Sequence, residues 1–113
     1  MLLAAQHQVK AGVAYYGALV GVMQPLPNNP FLQGFTTTSA PVLLLAGEND
    51  TTMGMAPVRR LEEIIKAAGA PYELVAYPDA EHGFDRNNLR PGNGAAGLDA
   101  WARTLAFLRK NVR

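Results

Sequence analysis

The 113 residues contain no cysteine and a single serine, Ser39. The absence of cysteine excludes a disulfide framework, a thiolate zinc site and a cysteine nucleophile. It also fits a reducing compartment. Neither sign of charge dominates: ten Lys and Arg stand against nine Asp and Glu. That balance gives no clustered basic footprint for nucleic acid. Arg103, Arg109, Lys110 and Arg113 gather near the C-terminus, where cations complete the last turns of a helix. Long hydrophobic runs are missing too. The longest apolar stretch, residues 11–23, falls short of the roughly 20 residues that cross a bilayer. The N-terminal residues have no basic region and too short an apolar run for a signal peptide, so the expectation is a cytoplasmic protein without a membrane.

What is present is an alternation of strand-like and helix-like segments, with no internal repeat, and it points to an α/β layer architecture in one domain. Residues 2–8, rich in Leu, Ala and Gln, suit the end of a helix. Residues 10–16 read as a buried strand. Residues 23–40, broken by Pro25, Pro27, Pro30 and Gly34, read as a loop. Val42-Leu43-Leu44-Leu45-Ala46 is a continuous apolar run of the kind found in parallel strands covered on both faces. The spacing of Met55, Val58, Leu61, Ile64, Ile65 and Ala68 predicts a helix over 54–68, stopped by Gly69. Arg59 with Glu63, and Glu62 with Lys66, are placed to pair along its wet side. Residues 72–77 form a third strand. A last helix over 95–111 is expected to bury Leu98, Trp101, Ala102, Leu105, Leu108 and Val112. About three parallel strands with flanking helices result, since strands joined through helices return as right-handed crossovers.

Chemistry concentrates at two places. Asp50 closes Ala46-Gly47-Glu48-Asn49-Asp50, just beyond the second strand. His82 lies in Ala80-Glu81-His82-Gly83-Phe84, just beyond the third. Open parallel sheets bind ligands past the carboxyl ends of their strands, so both residues fall on one rim. A carboxylate that holds an imidazole's tautomer turns it into a general base. Gly83 permits a sharp turn there, and Phe84 is placed to wall off water. Thr51 and Thr52 suit capping of the following helix. His7 and His82, on separate elements with no clustered acids, do not make a metal-ligand pattern, and no cofactor is expected.

The blocks Val9-Lys10-Ala11-Gly12-Val13-Ala14-Tyr15-Tyr16-Gly17, Ala40-Pro41-Val42-Leu43-Leu44-Leu45-Ala46-Gly47-Glu48-Asn49-Asp50 and Tyr77-Pro78-Asp79-Ala80-Glu81-His82-Gly83-Phe84 resemble, in order, the dienelactone hydrolase family. The resemblance covers nearly the whole chain, and residues 24–34 match least. It implies the C-terminal part of an α/β-hydrolase fold, residues 1–113 forming a partial domain. It further implies Asp50 as triad acid, His82 as triad base and a small ester or lactone as substrate. Arg86 stands where some members bind the substrate carboxylate, a task suited to a planar guanidinium. Tyr16 and Gly17 are placed to line the pocket, and the expected substrate-binding residues are Arg86, Tyr16 and Phe84.

The family's Cys or Ser nucleophile sits in a tight strand-to-helix elbow, expected roughly ten residues upstream of Met1. Ser39 does not replace it. It precedes the second strand, about 15–20 Å from the rim at about 3.3 Å per residue. The 113 residues are therefore expected to be inactive alone. The alternative is a non-catalytic interaction module. Without the upstream strands, residues 10–16 leave an apolar sheet edge open to self-association.

Overall fold

The computed structural model describes residues 9–15, 34–52, 54–86 and 92–112. Among these residues three strands, β1 (Gly12–Tyr15), β2 (Val42–Gly47) and β3 (Tyr72–Tyr77), form one parallel sheet in that order. Two helices accompany it, α1 (Ala56–Ala67) and α2 (Asn93–Asn111). The expected helix over 2–8 and most of the expected loop lie outside the described residues.

The alternation of side chains along β2 builds the layers. Val42 and Leu44 join Phe35, Ala40, Leu61, Ile65 and Ala70 in one core, under α1. Leu43 and Leu45 join Ala80, Phe84, Ala96, Ala100 and Phe107 in a second core, under α2. Every residue of β2 is buried. A central strand with helices on both faces has no wet side, which is why its sequence is uniformly apolar rather than alternating.

The α1 helix follows its sequence pattern, burying Val58, Leu61 and Ile65, with Ile64 and Ala68 packed at the margin. Its end is a Schellman motif. Gly69, at φ +70°, donates its N–H to Lys66, and Ala70 donates to Ile65, satisfying carbonyls the helix leaves open. Two details differ from expectation. Neither threonine caps α1: its N-cap is Met55, with no side-chain cap bond, and Pro57 sits in the first turn. The ion pairs run Arg59–Glu62 and Arg60–Glu63, each 3.3 Å and spaced i,i+3. Three and four residues lie about equally close on a helix surface, and such exposed pairs add little stability.

The larger correction concerns α2. Its buried face is Asn93, Ala96, Ala100, Thr104 and Phe107. Leu98 is 77% exposed and Trp101 58% exposed, and Val112 and Ala102 are exposed as well. Apolar residues occupy two stripes of this helix, and periodicity alone does not say which one docks. The small residues win because they let the helix come down close on Leu43, Leu45 and Phe84.

Polar ties fix α2 across the sheet. Thr104 Oγ1 donates to the Ala100 carbonyl at 2.8 Å, so Tyr15, 2.8 Å away, must donate its phenol hydrogen to Thr104. On the β3 side, Tyr77 donates to Asp99 and Arg103 Nε donates to the same oxygen, both at 2.7 Å. Burial, then the bond to Asp99, pushes the Tyr77 phenol well above its ordinary range. The bonds from Tyr77 and Arg103 hold the Asp99 carboxyl below its ordinary range. A lowered carboxyl contributes stability above its unfolded value and loses it as pH falls through the folded one. Asp99 and Arg103 are about half exposed, so that contribution is small.

Candidate active site

The β2 and β3 strands end side by side, Gly47 opposite Tyr77, and their following loops are stitched together. Glu48 donates its N–H to the Tyr77 carbonyl at 2.9 Å, and Asn49 donates to the Ala80 carbonyl at 3.0 Å. This approach needs glycine at the end of β2. A Cβ on Gly47 would lie 2.2 Å from the Ala80 carbonyl oxygen, far inside van der Waals contact. The sequence therefore builds a place where two loops meet at backbone distance, and each delivers one titratable side chain.

Those side chains are Asp50 and His82, 32 residues apart, with Asp50 Oδ2 2.8 Å from His82 Nδ1. The other carboxylate oxygen, Oδ1, accepts the Thr52 N–H at 2.9 Å, which fixes the plane of the carboxylate. The Asp50 side chain is 3% exposed and that of His82 36% exposed. A carboxylate can only accept, so Nδ1 is the protonated nitrogen and the neutral ring keeps its basic lone pair on Nε2. A buried acid behind a half-exposed imidazole is the arrangement that lets a histidine take a proton from a neighbouring group.

Phe84 holds the histidine turn from beneath. It is completely buried, with ring centroids 6.0 Å from Tyr15 and 5.4 Å from Tyr77. No part of it reaches solvent, so it serves the turn as an anchor rather than as a surface. Arg86 is exposed on the same turn, its N–H donated to the Gly83 carbonyl at 2.9 Å. Tyr16 and Gly17 lie outside the described residues, as does His7. Ser39 is buried before β2, where its Oγ accepts the Thr36 N–H at 2.9 Å, closing a turn. The strand β2 separates it from Asp50. One residue of the site went unread in the sequence. Asn93, at the start of α2, accepts the Glu81 N–H at 2.9 Å beside His82. An Asn at a helix start reads as an ordinary cap, and nothing local signals a partner twelve residues away.

Comparison with known proteins agrees with this fold. The dienelactone hydrolase family matches residues 1–112. The chain belongs to the dienelactone hydrolase family. A protein of Salmonella typhimurium, provisionally named carboxymethylenebutenolidase, is 41% identical over 102 residues, covering 88% of this chain and 37% of its own length. A protein from Klebsiella pneumoniae, provisionally named a dienelactone hydrolase, has a crystal structure that superposes with a TM-score of 0.72 at 36% identity. It covers 93% of this chain and 44% of its own. Thermogutta terrifontis esterase 2 shares the fold, with a TM-score of 0.70 at 22% identity over 91% of this chain and 40% of its own. The chain thus spans less than half the length of these relatives. The three parallel strands and two helices are the corresponding part of their α/β architecture. No described helix is long and apolar enough to cross a membrane.

Proposed function

We propose that these residues supply the acid and the base of a carboxylic ester or lactone hydrolase, and that the nucleophile lies outside the 113 residues. The observation that carries this reading is the 2.8 Å Asp50–His82 contact at the joined ends of two parallel strands. In the intact site, His82 Nε2 takes the proton of the nucleophile as it attacks the ester carbonyl. Backbone N–H groups hold the oxyanion. The tetrahedral intermediate then collapses, His82 returns the proton to the leaving alkoxide, and an acyl-enzyme remains. Water, deprotonated by the same imidazole, then attacks the acyl-enzyme, and His82 returns that proton to the nucleophile as the acid leaves. Asp50 stays ionised throughout and holds the imidazolium in place.

Arg86, exposed on the His82 turn, is assigned by the family resemblance to the carboxylate of an anionic lactone. Tyr16 is assigned to the pocket by the family resemblance, and Phe84 supports the site from the core. The 113 residues form a partial domain of a protein acting on small molecules, with the cytoplasm as its setting. Having no cysteine, and its one serine beyond the far end of β2, the chain should lack His82-dependent hydrolysis of p-nitrophenyl acetate. Turnover abolished by His82→Gln would refute the proposal.

A second reading is favoured by the sheet edge. Among the described residues β1 pairs only with β2, and Leu98 and Trp101 stand exposed on α2. An apolar sheet edge left open recruits further strands, so on this reading a second copy of the chain adds there. Sedimentation should show dimers at rising concentration, with the emission of the single tryptophan, Trp101, moving to the blue. A monomer with unchanged emission opposes this reading.

A further inference from the structure

We infer that Asn93 is a positioning residue for His82, an assignment that rests on the proposed role of the Asp50–His82 pair. Asn93 is the first residue of α2 and is completely buried. Its Oδ1 accepts the N–H of Glu81, the residue next to His82, at 2.9 Å. Facing a backbone donor, the amide must present its oxygen there, so its Nδ2 points elsewhere. Nδ2 is buried and has no hydrogen-bond partner among the described residues. A buried, unpaired donor is costly, and an aliphatic side chain would remove that cost. What the position gains from Asn is therefore the acceptor alone.

The neighbouring backbone shows what that acceptor is for. Ala80 is completely buried, and its carbonyl accepts from Asn49, which ties the histidine loop to the Asp50 loop. On the opposite side Gly92, at φ +85°, lies so close that a Cβ there would be 2.4 Å from the Asp79 carbonyl oxygen. The loop before His82 is thus held from the Asp50 side through Ala80 and from the α2 side through Glu81. The two grips hold the two ends of one peptide, Ala80–Glu81, which fixes the plane from which the His82 turn departs and keeps the ring within hydrogen-bond reach of Asp50. Loss of the Asn93 grip leaves the Ala80–Glu81 peptide held at its carbonyl end alone, so it can tilt, and His82, one residue on, shifts with it.

The test is made by NMR on the whole chain, reading two signals. One is the exchange rate of the Glu81 amide. The other is the Nδ1-bound proton of His82, visible only while Asp50 shields it from water. Asn93→Leu removes the acceptor and keeps the bulk. It should speed Glu81 exchange about tenfold, as for one lost net hydrogen bond, and abolish the His82 signal. The β2 amides should stay protected. Asn93→Asp keeps the acceptor at a helix start, where a carboxylate is favoured, and should restore both signals. If Asn93→Leu does not fold, Asn93→Ala carries the same readings. A folded Leu or Ala variant with the His82 signal intact would overturn the assignment. Absence of that signal from the unaltered chain would instead contradict the Asp50–His82 pairing, so the two failures are distinguishable.

Discussion

Asp50→Asn should reduce kcat by on the order of ten-thousandfold once the chain is placed in an enzyme that has a nucleophile. The host to use is the whole Salmonella typhimurium relative, provisionally named carboxymethylenebutenolidase, with its matching 102 residues exchanged for this chain. The size of the effect follows from the tautomer. The carboxylate fixes the hydrogen on Nδ1 and leaves Nε2 basic. An amide in its place can turn its NH₂ toward Nδ1, which moves the ring hydrogen to Nε2 and points a donor at the nucleophile. The imidazolium that forms during attack also loses its counter-charge. Folding should hardly change, because the Asn oxygen can still accept the Thr52 N–H that Oδ1 now holds at 2.9 Å. Steady-state kinetics with a matched circular dichroism spectrum check both halves. A folded Asp50→Asn enzyme within tenfold of the parent would remove Asp50 from the mechanism.

Gly47→Ala should cost about 3 kcal/mol or more and lower the melting temperature by roughly 10 °C or more. The new methyl would meet the Ala80 carbonyl oxygen at 2.2 Å and its carbon at 2.6 Å, both backbone atoms that cannot swing aside. Relief requires the β2 and β3 loops to separate. That breaks the Asn49–Ala80 bond and pulls Asp50 from His82. Gly83→Ala is the control. Gly83 is at φ +75°, but a Cβ there meets nothing within 4 Å. The cost is then the left-handed backbone alone, about 1–2 kcal/mol. Thermal melts of the two variants separate crowding from backbone strain. Equal losses would mean that the close approach of the loops is not what Gly47 provides.

Much of this architecture is legible in the sequence, for identifiable reasons. The apolar run 42–46 has no polar alternation because both faces of β2 are covered, and that is what the structure shows. The span of β3 and the stop at Gly69 follow from side-chain type and glycine geometry, which are local. The Asp50–His82 pairing was accessible because parallel strands put their following loops on one rim, so topology does the work of proximity.

What escaped depends on distance rather than pattern. The α2 helix carries two stripes, and the larger apolar residues, Leu98 and Trp101, are on the wrong one. Only the separation between helix and sheet decides for Ala96, Ala100 and Thr104. Gly47 looks like any motif glycine until the Ala80 carbonyl is placed against it. Asn93 is silent for the same reason, its partner lying across a turn whose course the sequence does not dictate.

The most direct measurement is steady-state hydrolysis of p-nitrophenyl acetate by the purified 113-residue chain beside its His82→Gln variant. If, as proposed, the chain holds acid and base and the nucleophile lies elsewhere, the two should show the same slow, non-saturating rate, no greater than free imidazole provides. Saturable turnover by the unaltered chain that disappears in His82→Gln would place a working nucleophile among these residues and contradict the division of the site proposed for it.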